Sequence, residues 1–227
     1  TLREVALQAG VSRSAVSRAF TPGASVSPRT RAAIEKAAAE LGYTPSALAS
    51  ALSTGKTKLI GLVSNNFQNP VFLEVFDQFT RGLQDRGLRP LLVNLSGGMD
   101  EAEAVQLLRR YSVDGVILAS STLPADLALR FRDAGLPVVH SFGRGTACPE
   151  VTVIGVDNRA CGGLAARTLI DRGYRRIAFL GGPKAATSTQ DRLAGFQDEA
   201  ARHPGVTVTV SFAEAYSFDA GRAEMQR

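Results

Sequence analysis

The chain has 227 residues, enough for two domains, and no apolar run long enough to span a membrane. Its opening residues, TLREVALQAG, lack the pattern of an export signal, so the expected location is the cytoplasm. The net charge of +5 is confined to residues 1–58, with eight Lys/Arg and three Asp/Glu, while 59–227 hold eighteen of each; a neutral body with a basic head suits a protein that meets nucleic acid with one end.

The head reads as three short helices. Thr1 and Glu4 have capping-box spacing, with Leu2, Val5, Ala6 and Ala9 on the apolar side and Gly10 as the breaker. Ser12 can cap a second helix over about 13–20, ended by Thr21-Pro22-Gly23. Ser27-Pro28 opens a third that runs to Leu41-Gly42. A helix, a tight turn and a second short helix match the helix-turn-helix pattern. At about 100° per residue, Arg13, Ser14, Ser17 and Arg18 share one face of the second helix, opposite Ala15, Val16 and Ala19. Arg reads guanine in the major groove through two hydrogen bonds, so these four are the candidate base contacts.

From 59 the rhythm changes to apolar strand runs alternating with helical segments. Strands are expected at 59–64, 89–95, 113–120, 136–142, 151–157, 176–182 and 206–212. Helices are expected near 71–86, 100–111, 124–134, 159–172 and 190–203. Strands this apolar, each followed by a helix, indicate a parallel sheet covered on both faces. The run 143–150 is expected to cross between two lobes. The chain stops at GRAEMQR inside a helical pattern, so a second lobe made from 158–227 would be incomplete and the chain reads as a fragment.

Several features point away from catalysis. TGKT at 54–57 lacks the Gly that a phosphate-binding loop needs four residues before it, where Ser50 stands. No GxGxxG follows a strand, so no dinucleotide cofactor is expected, and GGP at 181–183 is a turn. Cys148 and Cys161 form no CxxC and complete no metal set. His140 and His203 are isolated; His140 suits packing or pocket lining. Neither enzyme, cofactor nor metal is expected.

TLREVALQAGVSRSAVSRAF, followed by VSPRTRAAIEKAAAELGYTPSALASALSTGKTKLIGLV, resembles the lactose-repressor family of bacterial regulators. The likeness continues through NP (69–70), VDG (113–115), GLPVV (135–139), IGVDN (154–158), GYRRIAFLGGP (173–183) and DRLAGF (191–196). It departs from the family pattern at Thr21, where Asn is usual, and at Ser50 in the hinge, often Arg or Gln. The resemblance implies a headpiece over 1–45, a hinge over 46–57, and a periplasmic-binding-protein-like sensing domain with lobes over 58–157 and 158–227. It implies a homodimer or higher oligomer on pseudo-palindromic operator DNA, controlled by a sugar-like effector. Thr1, Ser12 and Thr30 would hold phosphates. The hinge would fold on DNA, with Leu52 and Ala49 in the minor groove. The carboxyl ends of the strands, where ligands sit in open α/β lobes, point to Asn65, Asn66, Phe72, Ser120, Arg144, Asp157, Arg192 and Phe218 as the effector site. A periplasmic-type binding protein without a regulatory role is the competing reading; the missing export signal and the basic headpiece weigh against it.

Overall fold

The computed structural model describes residues 1–21, 23–124, 126–144 and 150–227, with only the backbone for Leu48 and Ser53. Pro22, Cys148 and most of the expected crossing at 143–150 lie outside the described residues. Two units divide the chain, Thr1–Thr57 and Lys58–Arg227.

In the first unit α1 (Leu2–Gln8) carries the expected capping box between Thr1 and Glu4, and Gly10 turns the chain at φ +64°. The Ser12 hydroxyl caps α2 (Arg13–Ala19) by accepting the Ala15 amide at 3.2 Å. Ser27 caps α3 (Pro28–Glu40), with Pro28 in its first turn, where a missing amide hydrogen costs nothing. Val5, Ala6, Val16, Ala19, Ile34, Ala37 and Ala38 form the shared core. Burying side chains the size of Val16 or Ile34 is worth about 1.5–3 kcal/mol each. A fourth helix, α4 (Ala47–Thr54), begins where the Ser46 side chain supplies the cap. Gly55, at φ +69°, closes it.

The second unit opens with five parallel strands in the order β2-β1-β3-β4-β5. These are β1 (Leu59–Ser64), β2 (Arg89–Asn94), β3 (Gly115–Ala119), β4 (Val138–Ser141) and β5 (Thr152–Ile154), with α5 (Pro70–Asp85), α6 (Glu101–Arg110) and α7 (Asp126–Asp133) between them. One cluster joins Val63, Val116 and Leu118 to Leu108 of α6 and to Leu127 and Phe131 of α7. A separate cluster joins Leu62 and Ala119 to Phe72 and Phe76 of α5. Cover from helices on two sides explains the nearly continuous apolar runs. The order reverses between β1 and β3, and their carboxyl ends open the crevice expected at such a switch point. β5 follows residues 143–150 and still pairs with β4, so the chain leaves this sheet after Ile154, later than the expected crossing.

Beyond it come α8 (Asn158–Asp171), β6 (Arg176–Gly181), α9 (Thr187–Ala201), β7 (Thr207–Phe212) and α10 (Phe218–Met225). β6 and β7 form a separate two-stranded parallel sheet, so the seven strands among the described residues divide between two sheets. α9 starts three residues ahead of the expected Gln190, without a side-chain cap. Instead, the amide and hydroxyl of Thr187 both donate to the Ser121 carbonyl, at 3.0 and 3.1 Å. α8 and α9 touch backbone to backbone: a Cβ on Gly162 would stand 1.9 Å from the Arg192 carbonyl oxygen, and one on Gly195 1.9 Å from that of Arg159.

Behind this contact Glu199 is buried beside two arginines and a histidine. Arg167 of α8 grips both of its oxygens, at 2.8 and 3.0 Å, while Arg202 lies at 3.0 Å and His203 at 3.4 Å. The hydrogen bonds from Arg167 lead in holding the carboxyl at about 2, below its ordinary 4.5, and outweigh burial, which acts the other way. A carboxyl depressed on folding stabilises above its unfolded value, and that contribution fades as pH falls from about 4.5 toward 2. We expect Glu199→Gln to melt lower at pH 7 and to flatten the acid limb of melting temperature against pH. Calorimetry across pH 2–6 checks this; an unchanged acid limb would show that Glu199 does not carry it.

Candidate nucleic-acid interface and ligand cleft

The amphipathic spacing of α2 places Val16 and Ala19 in the core and leaves Arg13, Ser14, Ser17 and Arg18 exposed. Neither Arg13 nor Arg18 forms an ion pair among the described residues, so both guanidinium forks are open to a partner. Five residues apart, they are separated along the axis by about 7.5 Å, roughly two base-pair steps. The three expected phosphate ligands carry local hydrogen bonds. Ser12 Oγ caps α2 and lies 2.9 Å from Ser14 Oγ. Thr30 shares a 2.8 Å hydrogen bond with Ser27, and the Thr1 hydroxyl accepts the Glu4 amide.

On α4, Ala49 and Leu52 are three residues apart on one face, and Leu52 is 91% exposed. An eight-residue helix with no described side chain in a core cluster is too short to hold itself in water.

In the second unit, the ends of β1 and β3 are tied by a polar network. Asn66 Nδ2 donates to Ser120 Oγ at 3.3 Å, Ser120 Oγ donates to Asn65 Oδ1 at 2.8 Å, and Thr122 Oγ1 donates to the same oxygen at 3.0 Å. This network floors a cavity of about 400 Å³. Asn65, Asn66, Gln68, Asn69, Ser96 and Thr122 line one side; Pro183, Glu214, Ala215 and Tyr216 line the other. The hydroxyl of Tyr216 is held by Ser188 at 3.1 Å and Thr189 at 2.8 Å.

Of the eight expected effector residues, Asn65 and Asn66 line this cavity, with Ser120 buried behind them. Phe72 faces the sheet, its ring 5.1 Å from Phe142 and 5.9 Å from Phe76, and is core packing here. The fork of Arg144 is spent on Asp191, at 2.6 and 3.1 Å. Asp157 caps α8 by accepting the Ala160 amide at 2.9 Å. Arg192 donates to Asn158 Oδ1 at 2.8 Å, because the glycine contact brings the start of α8 within its reach. Phe218 is 78% exposed and lines a second, apolar cavity of about 530 Å³ with Val71, Leu180 and Met225. Gln68, Asn69, Ser96, Glu214 and Tyr216 were not expected from the sequence; NP at 69–70 and the loop after β7 were the available signals.

His140 is buried in packing, its Nε2 donating to the Ser120 carbonyl at 2.9 Å. Burial holds its ring below the ordinary 6.5, against that hydrogen bond. Among the described residues no group of three or more His, Cys, Asp or Glu could hold a metal ion. No helix among them is long and apolar enough to cross a membrane.

Two family profiles match the chain: bacterial regulatory proteins of the lacI family over residues 1–46, and periplasmic binding proteins and sugar binding domain of the LacI family over 57–211. The transcriptional regulator CelR of Thermobifida fusca is 34% identical over 235 residues, covering 100% of this chain and 68% of that protein. The transcriptional repressor PurR of Proteus mirabilis (strain HI4320) is 34% identical over 200 residues, covering 86% of this chain and 58% of that protein. The chain therefore spans about six- to seven-tenths of the relatives it matches. The solved structure of a CelR–cellobiose complex aligns with a TM-score of 0.65 at 31% identity, covering 100% of this chain and 69% of that one.

Proposed function

Because the chain belongs to the LacI family of bacterial regulatory proteins, we propose that it binds a pseudo-palindromic operator as a homodimer, under the control of a neutral, hydroxyl-rich small molecule. The observation that carries the DNA reading is the exposed, unpaired Arg13/Arg18 face of a helix whose other face is buried. Arg13, Ser14, Ser17 and Arg18 would meet base edges, with Thr1, Ser12 and Thr30 on phosphates. Two headpieces related by a two-fold would read two half-sites. Leu52 and Ala49 would enter the minor groove as an apolar wedge, and the DNA would stabilise α4.

The lining of the 400 Å³ cavity supports the effector class. Four side-chain amides, from Asn65, Asn66, Gln68 and Asn69, each donate and accept, as sugar hydroxyls do. Glu214 is the one charged side chain among the described lining residues. A phosphate or carboxylate would find no cation there and would face a carboxylate. The complex of the CelR relative with cellobiose supports a neutral sugar. The PurR relatives, which are repressors, support repression as the sense of control.

Selection of duplexes from a randomised pool by the chain tests the DNA reading. It should enrich one inverted-repeat sequence, and no enrichment would overturn it. In the same preparation a neutral oligosaccharide at 100 times its Kd should stabilise the body by about 2.7 kcal/mol. Stabilisation by sugar phosphates or sugar acids, and not by neutral sugars, would overturn the effector class.

A further inference from the structure

α2 has only seven residues, and such a helix does not persist without tertiary support. Its amino end is fixed by the Ser12 cap, its middle by Val16 in the core and its last residue, Ala19, by burial in the same core, while the Thr21 hydroxyl donates to the Ser17 carbonyl at 2.9 Å. Its carboxyl end carries backbone carbonyls that no further helical turn satisfies. Arg31, in the first turns of α3, reaches across to that end. One terminal nitrogen of its guanidinium donates to the Ala19 carbonyl, and the other donates to the Ala24 carbonyl at 3.4 Å, in the turn between α2 and α3. Arg31 is half-buried and forms no ion pair among the described residues. Its cation therefore sits where the helix dipole favours positive charge, on a scaffold anchored by Ile34, Ala37 and Ala38.

We infer that Arg31 is a positioning residue for sequence reading: by tethering the last turn of α2 to α3, it sets the aim of Arg18. The inference rests on the proposal that Arg18 meets a base edge. Its consequence is asymmetric. Arg18 lies one residue before Ala19, whereas Arg13 sits at the capped end, five residues earlier. Loss of the tether leaves the last turn held by the small Ala19 side chain and the bonds from Thr21 alone, and leaves the first turn with its cap. A guanidinium suits this task because its planar fork serves two carbonyls at once, whereas a lysine ammonium serves one.

The test uses the full chain with Arg31→Ala, Arg31→Lys and Arg18→Ala, on the duplex the wild type enriches, its single-base-pair variants and an unrelated duplex. Arg31→Ala should bind the enriched duplex about tenfold more weakly, the size of one good base contact. It should lose discrimination at the base pair that Arg18→Ala also relaxes, and keep it elsewhere. Its affinity for the unrelated duplex and its salt dependence should not change. Arg31→Lys should restore part of the loss. Equal loss on the unrelated duplex, with a salt slope shallower by about 0.9, would make Arg31 a phosphate contact and overturn the inference. Uniform loss of discrimination at every base pair would reduce Arg31 to a general support of the fold. If Arg31→Ala unfolds the first unit, Arg31→Lys decides: loss confined to the Arg18 base pair supports the inference, and unchanged discrimination overturns it. If Arg18→Ala relaxes no base pair, the base-contact reading fails first and takes this inference with it.

Discussion

Gly195→Ala should lower the stability of the 58–227 unit by about 3 kcal/mol or more, seen as a melting temperature lower by about 6–12 °C. Two effects oppose each other. In a helix interior alanine is favoured over glycine by about 1 kcal/mol. Against this, the new methyl would stand 1.9 Å from the Arg159 carbonyl oxygen, and 2.8 and 3.1 Å from the carbon atoms beside it. That obstacle is backbone, so no rotamer change relieves it; α8 and α9 must move apart. The same movement would loosen the grip of Arg167 on Glu199, which bridges these two helices. Gly163→Ala is the control: its Cβ would meet the Gly195 carbonyl oxygen at 3.5 Å, an ordinary contact. Helix propensity should then prevail, leaving stability unchanged or slightly raised. Calorimetry of the two variants checks the contrast. Equal melting temperatures would mean that the helix contact is looser than described.

Arg18→Ala should weaken operator binding by about 2 kcal/mol, roughly thirtyfold, and relax selectivity at one base pair. The side chain makes no described ion pair or core contact, so truncation leaves nothing buried and unpartnered. Its position in the last turn of α2 gives it a small role with the helix dipole, worth about 0.3–1 kcal/mol of helix stability. Binding loss should therefore exceed stability loss. Fluorescence anisotropy on the enriched duplex and an unrelated one separates the two; wild-type affinity and selectivity in the variant would remove Arg18 from the interface.

The headpiece was the most legible part of the chain because its signals are local. Ser12 and Ser27 cap helices, Pro28 opens one, and the 3.6-residue period sorts α2 into a buried and an exposed face. The strands were equally plain, since helix-covered strands are written as unbroken apolar runs. The crossing expected at 143–150 precedes β5, which falls within the strand expected over 151–157 and pairs with β4, so the chain leaves the sheet nearer the expected lobe bound at 157. The cleft was half legible. Asn65, Asn66 and Ser120 follow from the rule that ligands gather at strand ends. The same rule points to Arg144 and Arg192, but their partners, Asp191 and Asn158, lie 47 and 34 residues away and are set by tertiary packing. The role of Arg31 is illegible in the sequence for the same reason: its acceptors are backbone carbonyls, which leave no mark on the sequence.

The bonds between the ends of the first sheet and α9 also set how readily the cleft changes shape. Arg144 and Asp191 are 38% and 28% exposed, and a pair so wetted contributes at most about 1 kcal/mol. The two hydrogen bonds from Thr187 to Ser121 add about 1 kcal/mol each. If another lobe angle breaks these bonds and forms none in their place, a latch of a few kcal/mol would hold it to about one molecule in a hundred before any ligand arrives. Reversing that ratio requires an effector that prefers the minor arrangement by about ten-thousandfold. The concentration at which such a protein responds would then be tuned as much by Asp191 and Thr187, which line neither cavity, as by the amides that would hold the sugar.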